Sequence, residues 1–479
     1  MVILNANMEF VADLHLHSKY SRAVSQNMTL PIMAAYAAQK GLDILTVADW
    51  THPLWFKEIT TQLEEAGEGV YALKSETASN AANANSNDRN KTLFILSTEI
   101  SSIYKQGDKL RRIHNLVFVP NLETAEKVTR ELLRRGCNLS ADGRPIIGLT
   151  SKNLLEMILS IDEKAFLIPC HIWTPHFGMY GSASGFDSIE ESFGDLAKYI
   201  YGIETGLSSD PDMNWQVGEL RNRSILSFSD AHSPAKMGRE ATVFKVKGQK
   251  SKVESISQNS KVSYDDIRRA IMRDAEGNLE ISYTVEFYPE EGKYHYSGHR
   301  NCKFVAGPED IQKNGNICPV CRKKLTEGVF FRVQQLSDKM LLRRAETKKN
   351  QQGLQWFTDK LHIQPPYVKL VPLLEIVAEA LSSTVASQKS RNLYAELCSK
   401  VGNEMEILLK TPIEDIAKIA GQRVADSVLK VREGDIVIHP GYDGEYGVVR
   451  IWETPDGVSF RGSKSMKNKE SEGQLGLDI

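Results

Sequence analysis

This 479-residue sequence predicts an α/β fold for its first half, followed by smaller appended modules. Three observations carry the prediction. Between residues 9 and 245, apolar runs alternate with stretches of helical periodicity, the pattern of repeated βα units in a layer or barrel with mainly parallel strands. The length exceeds one ordinary domain, so two to four units are expected. From about residue 279 the character changes to strands around a cysteine cluster, then to helices, then to a β segment punctuated by turn residues.

The elements follow in order. The strand runs are EFVADLH, DILTVAD, LFILSTE, HNLVFVP, FLIPCH, YGIET and ILSFSD. A helix is predicted over residues 30–40, with Thr29 as N-cap and Pro31 in its first turn; others are predicted over 122–135 and 154–159. NAANANSNDRNK, residues 80–91, reads as a polar loop insertion. LEISYTVEFYP and EGVFFRV read as strands flanking the cysteines. Residues 334–432 read as mostly helical, interrupted by QPPY. DIVIHP, YGVVRIW and VSF read as a small β module with DG turns, and residues 462–479 as a polar tail. The expected divisions are 1–277, 278–333, 334–432, 433–461 and 462–479.

Composition narrows the class. The chain is 41% hydrophobic and 25% charged, ordinary for a globular protein. It has no run of 18 apolar residues, so no membrane-spanning helix is expected. MVILNANMEF lacks the features of a signal peptide, so a cytoplasmic location is expected, at the nucleoid if the source is bacterial. The net charge of −2 points to no polyanionic partner by itself, but residues 300–349 hold 12 Lys and Arg against 5 Asp and Glu. A local basic surface is therefore expected. Of six cysteines, Cys302, Cys318 and Cys321 fall within twenty residues, a metal-like spacing that suits a reducing compartment.

Seven of the eleven histidines precede residue 240, and they fall at the edges of the apolar runs. His15 and His17 end the first; two residues apart on an extended chain, they point to one side. Asp49 ends the second, with His52 nearby. Glu99 ends the third, His114 opens the fourth, and His171 ends the fifth with His176 behind it. Glu204 ends the sixth, and Asp230 and His232 end the seventh. In a parallel barrel the strand ends share one mouth, so imidazoles and carboxylates would gather there, the donor types for Zn²⁺, Mn²⁺ or Fe²⁺.

DLHLHS, STE, the later histidines and SDAH resemble the motifs of the polymerase-and-histidinol-phosphatase (PHP) metal-dependent phosphoesterases over roughly residues 9–275. The resemblance implies a distorted (β/α)7 barrel. It implies one metal held by His15, His17, Glu99 and Asp230, and a second held by Glu99, His114 and His171, with Glu99 bridging. Two such cations, Zn, Mg or Mn, activate water and hold phosphate oxygens. Asp230, Glu99 and His232 are the expected catalytic groups. The sequence departs from the PHP pattern for a third metal: SKYSRAVS offers no acid or imidazole, and ADWTH has Trp50 at the expected histidine. Arg22 is a candidate phosphate contact instead.

His299, Cys302, Cys318 and Cys321 have zinc-ribbon spacing, with His295 as the fallback ligand, so one structural zinc is expected. LSDKMLLRRAETKK behind it offers cations for a phosphate backbone. PIEDIAKIAGQRVADSVLKVREG resembles a helix-hairpin-helix around Gly421, and GDIVIHPGYDGEYGVVRIW resembles a β module of repair helicases. The tail Gln474–Ile479, QLGLDI, resembles a peptide that docks on a sliding clamp.

The order of these parts, together with ETGLSSDPDMNW, HYSGHRNC and PGYDGEYG, resembles the endonuclease Q family. That resemblance implies a DNA-repair nuclease nicking 5′ to deaminated bases (uracil, hypoxanthine, xanthine) and at abasic sites. Ser208, Ser209, Asp210, Asn214 and Trp215 are candidate contacts to the base or strand. Two other readings are a small-molecule phosphatase related to histidinol phosphatase, and a nucleic-acid-binding protein with a vestigial barrel.

Overall fold

The computed structural model describes residues 8–75, 77, 92–247, 262–338 and 345–453. Each of the seven apolar runs contains a strand. In chain order the strands are β1 (Glu9–Asp13), β2 (Ile44–Thr46), β3 (Leu63–Gly67), β4 (Val70–Leu73), β5 (Leu93–Gln106), β6 (Lys109–Val119), β7 (Ile146–Ile147), β8 (Phe166–Pro169), β9 (Gly202–Glu204), β10 (Ser224–Leu226) and β11 (Ala241–Val246). The expected helices are Leu30–Lys40, Leu122–Arg134 and Ser151–Ile161. Thr29 occupies the N-cap position of the first in extended conformation, but its side chain makes no capping bond.

The expected mainly parallel order is instead mixed. β1 runs parallel to β2, and β2 to β5. β5 pairs antiparallel with β6, β6 with β8, and β1 with β11. The cause is local: only Gly107 and Asp108 join β5 to β6, with Gly107 at φ 61°, and a two-residue connection makes an antiparallel hairpin. β9 and β10 form a parallel pair. It is tied to its neighbours by the Ile172 N–H on the Glu204 carbonyl at 3.2 Å and the Ser227 N–H on Thr242 Oγ1 at 3.0 Å. The strands thus follow one another around a circuit.

Alternate residues of each strand point to its inside. Phe118 and Phe166 stack there with centroids 4.4 Å apart. Ile95, Leu116, Ile168 and Leu226 pack in the same buried cluster. Further along the same alternation come Ser97, Glu99, His114, Cys170 and Asp230. The polar centre is the top of the apolar interior, reached by keeping the strand period.

Two stretches fold differently from expectation. EGVFFRV was predicted as a strand, yet Val329–Leu336 is a helix. Val329 and Val333, four apart, are both buried, and Arg332 donates to the carbonyls of Tyr180 and Phe186. Packing on one helical face overrides the strand propensity of Val and Phe. Nor is the segment after residue 334 mainly helical at its start. After β12 (Leu279–Glu286), β13 (Ser297–His299) and β14 (Phe304–Ala306) come β15 (Ala345–Lys349), β16 (Gln355–Asp359) and β17 (Tyr367–Lys369). β17 pairs parallel with β12, which pairs antiparallel with β11, so the large sheet runs on into residues expected to be separate modules. The charged residues of AETKK suit a helix surface as well as a solvent-facing edge strand, and composition does not separate the two.

Helices Leu373–Ala380, Gln388–Lys400, Glu404–Leu409, Ile413–Ala420 and Gln422–Glu433 follow. The last two meet at Gly421, φ 81°, as the expected helical hairpin. A buried ion pair fixes this bundle to the α/β part: Lys40 Nζ lies 2.9 Å from Glu404 Oε2, which also accepts the Tyr394 hydroxyl at 2.6 Å. β18 (Val437–His439) and β19 (Val448–Arg450) form the C-terminal hairpin. Among the described residues no helix is long and apolar enough to cross a membrane. The insertion 80–91, Lys339, Arg343 and Arg344 of the basic segment, the VSF run and the tail 474–479 lie outside the described residues.

Glu286, at the end of β12, gives a pH test of the fold. Burial pushes it up to about 8, although the Ser227 and Thr284 hydroxyls donate to it. Its folded pKa is above its unfolded value, so its contribution is full below about pH 4.5 and is lost as pH rises through about 8. Glu286→Gln should therefore flatten the fall of the melting temperature between pH 5 and pH 9. Parallel wild-type and variant curves would refute this.

Candidate metal centre

Each centre residue reaches the mouth by a specific backbone route. Glu99 lies within β5 and His114 within β6, opposite in direction but at the same level. His15 and His17 follow β1, held by the bridge between Leu16 and Ala231. Asp49, His171 and Asp230 lie just past β2, β8 and β10, with φ of 38°, 29° and 46°. Three non-glycine residues in this left-handed region carry strain of order 1–3 kcal/mol each, and such residues cluster at functional sites. Gly206 fits close behind one of them, since a Cβ there would sit 2.3 Å from the His171 Cβ.

The two oxygens of Glu99 face two different groups. Oε2 lies 3.3 Å from His17 Nε2 and 3.8 Å from His15 Nε2. Oε1 lies 2.5 Å from His114 Nδ1 and 3.1 Å from His171 Nε2. Asp230 Oδ1 completes the first group, 3.0 Å from His17 Nε2 and 3.7 Å from His15 Nε2. His15, His17 and Asp230 thus offer ligand atoms all within 4.8 Å of one another, and so do Glu99, His114 and His171.

Further carboxylates hold the imidazoles from behind. Glu204 Oε1 lies 2.8 Å from His15 Nδ1, and its Oε2 accepts the backbone N–H of His171 at 2.8 Å. Asp49 Oδ1 lies 3.3 Å from His17 Nδ1. Asp49 Oδ2 accepts from the Ser18 N–H at 2.6 Å, the Ser18 hydroxyl at 2.7 Å and the Ser21 hydroxyl at 2.8 Å. Two of the three serines of SKYSRAVS, Ser18 and Ser21, are therefore spent on orienting His17 through Asp49. With Nδ1 engaged, His15 and His17 each turn Nε2 to the centre.

The donor set suits cations. Asp49, Glu99 and Glu204 are buried and Asp230 is half-buried, with the Arg144 guanidinium 3.2 Å from Glu99 Oε2. Buried carboxylates in such excess need positive charge. His15 Nε2 is buried, has no hydrogen-bond partner and faces Glu99 and Asp230. Burial disfavours the Glu99 carboxylate, yet His114 and Arg144 outweigh it and hold the carboxyl well below its usual range. Burial pushes His114 down to about 4, against the upward pull of the Glu99 carboxylate.

Sequence reasoning missed Arg144, a lone arginine in a loop that no periodicity singles out. It also missed Cys170, a buried inward-facing residue that lies with His15 and Glu99. Among the described residues, no group of three ligand-type side chains includes His52 or His232. Trp50 is buried in the core, His52 stacks on Tyr20 at 4.5 Å, and His232 stands at the rim with Nδ1 2.9 Å from the Asp230 carbonyl.

The candidate strand contacts divide. Arg22 is 78% exposed, 3.5 Å from Asp142, and Ser208 is half-buried. Ser209, Asp210, Asn214 and Trp215 are buried. Asp210 pairs with Lys369 at 2.7 Å, and Asn214 accepts the Trp173 indole N–H at 2.8 Å and donates to Ser209. Trp215 packs edge-on against Tyr367. This stretch braces the loop behind Glu204.

A second donor group lies apart. Ligand atoms of His299, Cys302, Cys318 and Cys321 fall within 4.8 Å of one another, the size of a tetrahedral zinc shell. His295 is not among them; it is buried and stacks on Tyr296 and Phe330. The loop PGYDGEYG clasps this module, with Asp443 accepting the Arg300 N–H at 2.7 Å and the Thr326 hydroxyl at 2.5 Å.

Comparison with known proteins agrees with this layout. Residues 372–435 match the family model described as the MJ0043 C-terminal domain. The uncharacterized protein MJ0043 of Methanocaldococcus jannaschii is 31% identical over 279 residues, 58% of this chain and 31% of that one. The match thus spans under a third of that relative's length. The uncharacterized protein YqxK of Bacillus subtilis is 26% identical over 453 residues, 92% of this chain and 98% of its own. The crystal structure of the lesion-specific endonuclease PfuEndoQ from Pyrococcus furiosus aligns at TM-score 0.73 and 29% identity, over 93% of this chain and 96% of that one. An Endonuclease Q complex with a 27-mer duplex bearing an abasic lesion at the active site aligns at TM-score 0.73 and 30% identity, over 93% and 97%.

Proposed function

This chain belongs to the endonuclease Q family, and on that premise we propose that it is a metal-dependent DNA-repair endonuclease that nicks the phosphodiester 5′ to deaminated bases and at abasic sites. The observation that carries the chemistry is the division of Glu99, one oxygen toward His15 and His17 and the other toward His114 and His171. We read the circuit of strands as the distorted PHP barrel and this centre as its two-metal site.

Divalent cations held there would acidify water and neutralise phosphate oxygens. The protein's part is to hold and orient. His15, His17 and Asp230 serve one position, His114 and His171 the other, and Glu99 both. Glu204 and Asp49 keep the His15 and His17 rings in register. Arg144 sets a guanidinium beside Glu99, where a phosphate oxygen would lie. His232, half-buried at the rim with Nδ1 on the carbonyl of its own loop, completes the expected catalytic groups beside Asp230 and Glu99. His299, Cys302, Cys318 and Cys321 hold a structural zinc, and Gln474–Ile479 is a candidate clamp-docking peptide.

The test is a labelled duplex with one uracil, hypoxanthine or abasic site, incubated with Mg²⁺, Mn²⁺ or Zn²⁺ and with chelator. A metal-dependent nick 5′ to the lesion is expected. Turnover of a small phosphate monoester with every duplex left intact would overturn the reading in favour of a phosphatase.

A further inference from the structure

The strands that carry Glu99 and His114 do not stop at the metal centre. β5 runs seven residues beyond Glu99 to Gln106, and β6 returns from Lys109 to His114. Because β5 is linked through β2 to β1 by parallel pairing, this hairpin projects from the end of the barrel where the centre opens.

Its two faces differ. Directly opposed residues of an antiparallel pair share a face. Ser101 opposes His114, Ile103 opposes Arg112 and Lys105 opposes Leu110. Counting by twos, Glu99, Ser101, Ile103 and Lys105 share one face with His114, Arg112 and Leu110. The other face is packed down: Tyr104 and Ile113 are buried, and Arg111 donates to the Gly185 carbonyl and lies over the Phe186 ring at 3.9 Å. The face continuous with the metal centre is left open. Leu110 is 39% exposed, Lys105 is exposed and Arg112 half-exposed. Neither Lys105 nor Arg112 has a carboxylate within ion-pair distance among the described residues, whereas three of the four cations of the surface helix Leu122–Arg134 and its C-cap (Lys127, Arg134 and Arg135, but not Arg130) are paired.

We propose that this hairpin is a DNA-backbone arm, with Arg112 and Lys105 holding phosphates of the strand that runs out of the metal centre. The proposal rests on the endonuclease reading above. Unpaired cations that share a face with the metal ligands match a polyanion threaded through the same site. From Glu99 to Lys105 the reach is about 20 Å at ~3.3 Å per residue, several nucleotides at ~3.4 Å per base step. A small phosphate ester in the centre would not extend to Arg112 or Lys105.

The test is the Arg112→Ala/Lys105→Ala double variant, assayed on an abasic duplex from 50 to 200 mM salt. KM should rise with kcat within twofold of wild type. The log–log slope of kcat/KM against salt should become shallower by about 1.8, two contacts at ~0.9 each. Over that range wild type should lose about tenfold more than the variant. Hydrolysis of bis(p-nitrophenyl) phosphate, and the melting temperature, should be unchanged. An unchanged salt slope and KM, with wild type nicking normally, overturns the arm alone. A loss of kcat on both substrates assigns the pair a structural role and also overturns it. A wild type that cleaves the small ester but no duplex overturns the arm and the endonuclease reading together.

Discussion

Glu99→Gln should lower single-turnover nicking of an abasic duplex by about 10³-fold or more while leaving the protein folded. Glutamine keeps the shape of the side chain but removes the charge and turns an N–H₂ toward one imidazole pair. The two halves of the centre, 3.3–3.8 Å from Oε2 and 2.5–3.1 Å from Oε1, would lose their shared anion. An interaction that serves both cations and the reacting phosphate should be felt mainly in the chemical step. The fold should tolerate the change, because it relieves the repulsion between Glu99, the buried Asp49 and Glu204, and the half-buried Asp230. The measurements are single-turnover rate, bound metal and melting temperature. Nicking within tenfold of wild type at equal metal occupancy would remove Glu99 from the centre of the mechanism.

Cys318→Ser should release one zinc per chain and destabilise the module around it by several kcal/mol. The buried apolar cluster there contains only Ala306, Ile311, Cys318 and Leu325, too little to order the segment without a cross-link. Burial opposes the Cys318 thiolate, but N–H groups of Cys321 and Val320 aimed at its sulfur bring it down to about 6. Serine offers no soft thiolate in that place. Since Asp443 joins the module to the C-terminal hairpin, protease sensitivity should rise at both segments. Zinc content and protection equal to wild type would refute a structural metal.

The centre was legible because its chemistry is carried by residue types that are costly to bury without a purpose, placed at fixed points of an apolar alternation. His15, His17, Glu99, His114, His171 and Asp230 do converge. The four residues of the cysteine module converge likewise, and geometry chooses His299 over His295. What failed was the inference from local propensity. VFFRV reads as a strand but packs as a helix, and AETKK reads as helical but forms a sheet edge. Asn214 of the family-like loop donates to Ser209 and to the Asp210 carbonyl in the interior, an arrangement that no local propensity specifies.

The sequence by itself placed imidazoles and carboxylates at the edges of the apolar runs, because strand periodicity and donor chemistry are both written in one dimension. The choice of His15, His17, Glu99, His114, His171 and Asp230 among them came from the family resemblance. The sequence also contained a clue that it did not explain: every other run ends on its polar residue, while HNLVFVP begins on His114. Only the tertiary structure decided why. β6 runs antiparallel to both β5 and β8, so the start of its apolar run lies at the mouth where β2 and β8 finish. The same reversal decided that Glu99 lies within a strand and that the strand continues outward. Strand direction depends on how short a connection the chain allows and on which partner it meets, and neither is encoded in the alternation of a single run.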